Sequence, residues 1–212
     1  LGGVTVNFIL AIIIYIGLAY AYGSSSVSLD SIKDGFEINN PILLESGFKT
    51  GDKILSFNGN KLNTISELRK SIVSAKTYKI ERDGNKLEIS LPIDFLGKFS
   101  SADNPTLFEL RTPFIIQNVS EESLNKDYDI QQGDMIVSLN GKEIKYADQL
   151  IPLLGENANR TIEVELLRDS FKIQKTLIVN EDGKLGFMTW ATIKYMIVLG
   201  YLELKVKSYS MV

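Results

Sequence analysis

The chain has 212 residues, with 23 Lys plus Arg against 26 Asp plus Glu and a formal charge of −3, so it lacks the basic surface a polyanion needs and nucleic acid is not an expected partner. It contains no Cys and no His, which excludes disulfides, a thiol nucleophile, thiolate or imidazole zinc ligands and a histidine base from within it. Apolar residues make up 44% and charged residues 23%, an ordinary globular balance, and at roughly 100 to 150 residues per domain the length predicts two small domains.

The first charged residue is Asp30, and before it Val4 to Tyr22 forms a run of 19 residues whose polar side chains are Thr5, Asn7 and three tyrosines at 15, 20 and 22. At about 1.5 Å per residue this run is long enough to cross a hydrocarbon core of roughly 30 Å as a helix, and the tyrosines near its far end suit the headgroup level. A buried core helix or a signal peptide is the alternative. Against the signal peptide stand the missing initiator Met, the missing basic n-region and a run longer than the roughly 7 to 15 residues of an h-region, which together read as a piece of a longer protein. Gly23-Ser24-Ser25-Ser26 then marks an exit into water.

The rest of the chain repeats itself. Gly51-Asp52-Lys53-Ile54-Leu55-Ser56-Phe57-Asn58-Gly59 matches Gly133-Asp134-Met135-Ile136-Val137-Ser138-Leu139-Asn140-Gly141, 82 residues later. In each copy Gly-Asp ends a loop, the apolar alternation predicts a short strand, and Asn-Gly predicts a tight turn with positive φ. An amphipathic helix follows, with Ile65, Leu68 and Ile72 as its apolar stripe in the first copy and Ala147, Leu150, Ile151 and Leu154 in the second. Pro152 predicts that the second helix is short or bent. Each copy then closes with a hairpin, 78–82 with 86–92 and 161–168 with 172–179, turning at Asp83-Gly84 and Asp169-Ser170. Short strands at 36–38 and 114–116 precede the Gly-Asp loops. The fold class is therefore mainly β with α, an α+β chain in which each unit is a small, partly open β-barrel or sandwich crossed by one helix. The boundaries read as a transmembrane helix at 1–23, a first domain at 24–98, a polar linker at 99–107, a second domain at 108–187 and a juxtamembrane segment at 188–212.

Gly47-Phe48-Lys49-Thr50-Gly51-Asp52-Lys53-Ile54-Leu55-Ser56-Phe57-Asn58-Gly59 resembles the bacterial PDZ pattern G-x-x-x-G-D-x-I-x-x-x-N-G, and the second copy keeps its Gly-Asp and Asn-Gly while placing Asp129 where the earlier Gly would stand. Gly35-Phe36-Glu37-Ile38 looks like the start of a PDZ ligand-pairing strand, and Thr112-Pro113-Phe114-Ile115-Ile116 is a weaker echo. Gly2-Gly3-Val4-Thr5-Val6-Asn7-Phe8-Ile9-Leu10-Ala11 resembles the opening of the second transmembrane helix of site-2-type intramembrane zinc metalloproteases, in their RseP-type, two-PDZ branch. That resemblance implies a bacterial inner-membrane parent with the two domains on its periplasmic side and zinc held by His, Glu and Asp groups outside this segment. It also implies a partner that is a membrane-spanning protein substrate, such as an anti-sigma-factor-like protein or its trimmed terminus, together with the lipid bilayer. No catalytic or metal-binding residue is assigned within the chain.

PDZ domains bind by adding an extended peptide to a sheet edge. The grooves implied here lie between Phe36 and Ile38 and the helix bearing Ile65, Leu68 and Ile72, and between Phe114 and Ile116 and Leu150 and Leu154. Gly35 and Pro113 are candidates for the loop facing a carboxylate. Each apolar residue among these also fits plain core packing. Asn7 is a membrane candidate, as a polar group in an apolar helix. In the tail, Tyr201 to Ser208 alternates with period two and predicts a strand. The stretch before it, with Trp190, Lys194, Tyr195 and Met196, reads as a segment at the membrane surface or packed beneath the pair of domains, or as a core helix of the second. A membrane-tethered adaptor with two PDZ domains and no protease is the alternative function.

Overall fold

The computed structural model describes residues 2–22, 24–100, 106–189, 196–197, 199–202 and 204–207, with the backbone alone at 19–22, 24–26, 100 and 204–207. Helix α1 (Gly2–Tyr22) leads into β1 (Ser24–Val27), a 3-10 turn (Leu29–Ser31), β2 (Phe36–Glu37) and α2 (Pro41–Glu45). The first unit continues with β3 (Lys53–Phe57), β4 (Asn60–Lys61), α3 (Ile65–Ser71), β5 (Thr77–Arg82), β6 (Asn85–Ser90), α4 (Phe95–Ser100) and β7 (Glu109–Leu110). The second has β8 (Ile116–Val119), β9 (Met135–Leu139), β10 (Lys142–Glu143), α5 (Ala147–Glu156), β11 (Thr161–Arg168), β12 (Phe171–Ile178) and β13 (Phe187–Thr189), and β14 (Leu204–Lys207) follows.

The repeat becomes two antiparallel four-stranded sheets, ordered β4-β3-β5-β6 and β10-β9-β11-β12. Asn-Gly turns the chain in both, with φ of 45° and 79° at Asn58-Gly59 and 47° and 79° at Asn140-Gly141, the paired left-handed geometry of a two-residue hairpin. The asparagines also serve with their side chains. Asn58 Oδ1 accepts from the amides of Lys76 and Thr77 at 2.8 and 3.1 Å, and Asn140 Oδ1 from that of Glu163 at 2.9 Å, tying each turn to the strand beside it.

Two separate apolar cores form. The first gathers Phe36, Leu43, Phe48, Ile54, Leu68, Tyr78 and Ile80, and the second Ile116, Ile136, Leu150, Leu154, Ile162, Leu166 and Leu177. The first unit reaches beyond the boundary read at residue 98. Leu107 is buried in its core, Phe108 packs against Phe36, Phe48 and Tyr78 with ring centroids 5.6 to 5.8 Å apart, and β7 pairs with β2. Met196 and Leu202 of the tail are likewise buried in the first core rather than the second. The period-two run does form β14, which pairs with β1, Ser24 opposite Lys207; Trp190 to Tyr195 lie outside the described residues. α5 is longer than α3 and carries Pro152 within it, so that proline does not shorten the helix.

Every described side chain of α1, from Gly2 to Leu18, is exposed. Among the described residues, whose side chains in α1 run from 2 to 18, no helix is long and apolar enough to cross a membrane.

Under each sheet lies one carboxylate shut off from water. Asp52 and Asp134 are both 0% exposed. Asp52 takes a two-pronged contact from Arg82 (2.7 Å on each oxygen) and the amide of Lys49 at 2.9 Å. Asp134 takes the same from Arg168 (2.7 and 2.8 Å) and the amide of Gln131 at 2.9 Å. These hydrogen bonds raise the pKa of both arginines above the usual guanidinium value, and a planar fork suits the geometry. Replacing Arg168 with Leu would strand a buried charge, and urea unfolding should register a loss of about 3 kcal/mol. A smaller gain is available at Ser170, whose φ of 73° matches that of Gly84 in the equivalent turn (78°). Ser170→Gly should raise stability by about 0.5–1 kcal/mol, seen as a higher denaturant midpoint at unchanged slope, because a side chain is penalised in that region.

Candidate functional site

A peptide can be added only where a strand has unused main-chain groups. β2 has none to offer. On one side Phe36 donates to Asp52 O (3.0 Å) and accepts from Gly51 N (2.9 Å), and Ile38 N donates to Thr50 Oγ1 (3.0 Å); on the other side lies β7. β8 is filled in the same way. Ile116 exchanges bonds with Gly133 and Asp134 at 2.8 Å, Phe114 O accepts from Ile136 N at 3.1 Å, and β13 occupies the far side. The strands expected at 36–38 and 114–116 are therefore interior to their pairings, and the outer strands of those pairings are β7 and β13.

The β13 edge is the better constructed. Gly186 O accepts from Ser120 N at 2.9 Å, so by antiparallel alternation the N–H and C=O of Phe187 point away from β8. Leu185 is buried, and its carbonyl accepts from Ser123 Oγ at 2.7 Å and Asn125 Nδ2 at 3.0 Å. Asn125 is itself held by both main-chain groups of Ile178, at 2.8 Å each. Gly186 sits at φ 74°, and a Cβ there would lie 2.6 Å from Ser123 Cβ and Oγ. The turn leading into the strand packs on the helix, since a Cβ on Gly183 would come within 2.8 Å of Gly155 Cα. That contact sets Gly155 against the turn that leads into β13, and Ile151 and Ala147 share its face of α5 at helical i−4 and i−8 spacing. Ile151 is 58% and Met188 56% exposed, with Phe187 half-buried between core and edge. The second module thus carries an unpaired strand edge and, on the helix that the turn into that strand touches, an exposed apolar face.

The residues singled out from sequence divide differently. Leu68, Leu150, Leu154, Phe36, Ile38 and Ile116 are buried in the two cores, and Ile65, Ile72 and Phe114 pack against them. They support the helices and strands rather than line an open groove. Gly35 (φ 70°) is required because a Cβ would sit 2.2 Å from Gly51 O, which makes it a close backbone contact. Pro113 is buried beside the start of α5, where Ala147 N donates to Thr112 O at 2.8 Å. Asn7 is exposed on α1. Sequence reasoning passed over Leu185-Gly186-Phe187, although a glycine between two large apolar residues after a turn was a visible signal.

The first unit presents a different edge. Leu110 stands opposite Phe36 as Thr189 stands opposite Ile116, so where the second has Gly186-Phe187-Met188-Thr189 the first has Leu107-Phe108-Glu109-Leu110, and the α3 positions that repeat Ala147, Ile151 and Gly155 are Ile65, Arg69 and Val73. Glu109 also stands directly opposite Glu37 across β2 and β7. Burial, joined by the neighbouring carboxylates, raises the Glu37 pKa above the ordinary carboxylate value.

A cavity of about 690 Å³ lies elsewhere, along β8 and the loop at 126–132, and its walls are mostly polar. Among the described residues no group of three or more His, Cys, Asp or Glu could hold a metal ion. With no His or Cys anywhere in the chain, its donor set does not fit a zinc centre. Gly186→Ala should cost about 2 kcal/mol through overlap and positive φ, measured by denaturant unfolding, whereas Gly141→Ala, with open space around it, should lose about half as much.

No family model matches the chain. A Staphylococcus aureus (strain N315) protein named "putative zinc metalloprotease" is 30% identical over 125 residues, 57% of this chain and 27% of its own. Proteins similarly named from Clostridium perfringens and Helicobacter pylori (strain 26695) are 33% identical over 96 residues and 35% over 107, covering 45% and 49% of this chain and 26% and 29% of theirs. Among solved structures, the PDZ domain of an SdrC-like protein from Listeria innocua aligns with 38% of this chain and 97% of its own, at 13% identity and a TM-score of 0.34. Over about half its length the chain is thus homologous to bacterial proteins named as zinc metalloproteases, and the match spans little more than a quarter of theirs.

Proposed function

We propose that this chain is the peptide-recognition segment of a membrane-embedded, site-2-type zinc metalloendopeptidase of the RseP type. In this reading α1 is a transmembrane helix, two PDZ-type modules follow it on the extracytoplasmic face of the bacterial inner membrane, and the pair screens membrane-spanning substrates before cleavage. The observation that carries it is the unpaired β13 edge, entered by a turn that packs on Gly155 of α5; a groove between that edge and the Ala147–Ile151–Gly155 face is the arrangement strand addition needs. The left-handed turn at Gly186 favours an anionic terminus, because such turns direct successive amides to one side.

Three further observations support it. The relatives are named as metalloproteases, and the chain matches little more than a quarter of their length, which leaves ample sequence elsewhere for zinc ligands. α1 spans 21 residues without a charge and with its described side chains exposed; at about 1.5 Å per residue that is roughly 30 Å. β1 leaves α1 and pairs with β14, so the tail returns to the base of that helix.

The binding step is tested with a fluorescent hexapeptide ending in valine. The free-carboxylate form should bind the full chain in detergent at least tenfold tighter than its amide. Ile151→Asp should abolish the difference, and Arg69→Asp, in the first module, should leave it intact. Equal anisotropy titrations for both peptide forms would dismiss the second groove as a carboxylate-directed site. The gating step is tested in the intact protease: Ile151→Asp should slow cleavage of a trimmed membrane substrate, and an unchanged rate would refute a peptide-capture role.

A further inference from the structure

Where the two modules meet, the first turn of α5 is held by residues of the other module. Asp34, in the loop before β2, accepts from Lys145 Nζ and from Tyr146 Oη, the latter at 2.7 Å. Its main-chain oxygen accepts from Arg111 Nη1 at 3.2 Å. Arg111, directly after β7, forks onto Asp148 at 3.0 and 2.7 Å, with both side chains nearly enclosed (12% and 11% exposed), and its guanidinium lies 4.4 Å from the centre of the Tyr146 ring. Tyr146 is the N-cap residue of α5, and Gln149 Oε1 accepts from the amides of Lys145 and Tyr146 at 2.9 and 3.0 Å. Tyr201 meets Tyr146 edge-on at 5.9 Å, in a tail segment whose Met196 and Leu202 are buried in the first core.

All of these contacts converge on the turn from which the Ala147–Ile151–Gly155 face begins. We propose that Asp34 and Arg111 are positioning residues for the second groove: the first module sets the distance of α5 from the β13 edge, and the groove is a joint product of both modules. The inference rests on the reading of the β13–α5 groove as a peptide site.

The arrangement has the features of a positioning contact rather than an incidental one. Two cations, Arg111 and Lys145, are matched by two carboxylates, Asp34 and Asp148, and each pair crosses from one module to the other. The Lys145 and Tyr146 hydrogen bonds hold the Asp34 carboxyl below its ordinary pKa, while burial and then Asp34 itself push the Tyr146 phenol up. Glu37 and Glu109 stand near by, so removing Arg111 would leave Asp148 among like charges.

The test uses the full chain in detergent and the valine-ending hexapeptide. Because the chain contains no Cys, Asn85→Cys and Lys142→Cys supply unique spin-label sites, one per module. Arg111→Ala should broaden the inter-module distance distribution and weaken peptide binding about tenfold, the scale of a coupled contact. Asp34→Asn should act in the same direction. The reversed pair, Arg111→Asp with Asp148→Arg, should recover affinity to within about threefold, which a variant harmed only in stability would not do. Affinity unchanged in both Arg111→Ala and Asp34→Asn, or lost without recovery in the reversed pair, overturns the positioning role alone. Absence of binding by the unaltered chain overturns the groove reading and this inference together.

Discussion

A carboxylate sealed beneath each sheet fixes the rest of the architecture. Asp52 and Asp134 each satisfy their oxygens with an arginine fork and one loop amide. The same residues use their main-chain oxygens to hold the next layer, accepting from Phe36 N at 3.0 Å and Ile116 N at 2.8 Å. β2 and β8 are thereby pinned against the Gly-Asp loops, and they in turn carry β7 and β13 as outer strands. The position of each open edge is thus set two bonds away from a buried ion pair. A buried charge of this kind adds little net stability over an apolar replacement, yet it is costly to break, so it selects one loop geometry over its competitors.

That chain of dependence explains which parts of the molecule were legible in the sequence. The hairpins, the Asn-Gly turns and the helix stripes are local, and the residues that specify them stand beside one another, so the repeat at an offset of 82 residues exposed them directly. The arginine partners were not legible, because Arg82 and Arg168 sit at strand ends 30 and 34 residues from their aspartates and look like ordinary solvated positions. The groove was displaced for a related reason. Whether a strand is an edge depends on what pairs with its far side, and for Phe36 that partner is Leu110. Apolar periodicity in α3 and α5 identifies the buried Leu68, Leu150 and Leu154, but it sets Ile151 in the same stripe, whereas Ile151 is exposed on a face about 100° from Leu150.

The two modules share a scaffold and differ where a ligand would meet it. Gly186 lets the backbone entering the second module's outer strand lie against Ser123, and Phe187, Met188 and Ile151 are apolar, the last two exposed. In the first, Phe108 is committed to an aromatic cluster with Phe36, Phe48 and Tyr78, and Glu109 faces Glu37 across the strand pair. Like charges directly opposite one another weaken a pairing, which is tolerable only if that edge is not required to hold a tight partner. Arg69 on the corresponding helix face is also long and charged. The repeat therefore carries one apolar outer edge, at Phe187 and Met188, and one that bears a charge, at Glu109.

Direction gives the arrangement a further consequence. A strand added antiparallel to β13 would end at Leu185-Gly186 and run back past Thr189 toward the start of α5, because Thr189 is paired with Ile116 and Ala147 is bonded to Thr112. Its earlier residues would leave the groove where Arg111 and Asp34 stand. The first module repeats this layout: Leu29 N donates to Asn63 O at 2.9 Å, and Ser28 bridges Thr64, the N-cap of α3. The start of each helix is met by the segment that enters its module, from the first module in one case and from β1 and α1 in the other. On the reading proposed above, a chain held by its end at the β13 edge would be directed toward the first module, and the order of the modules would give it a path in one direction.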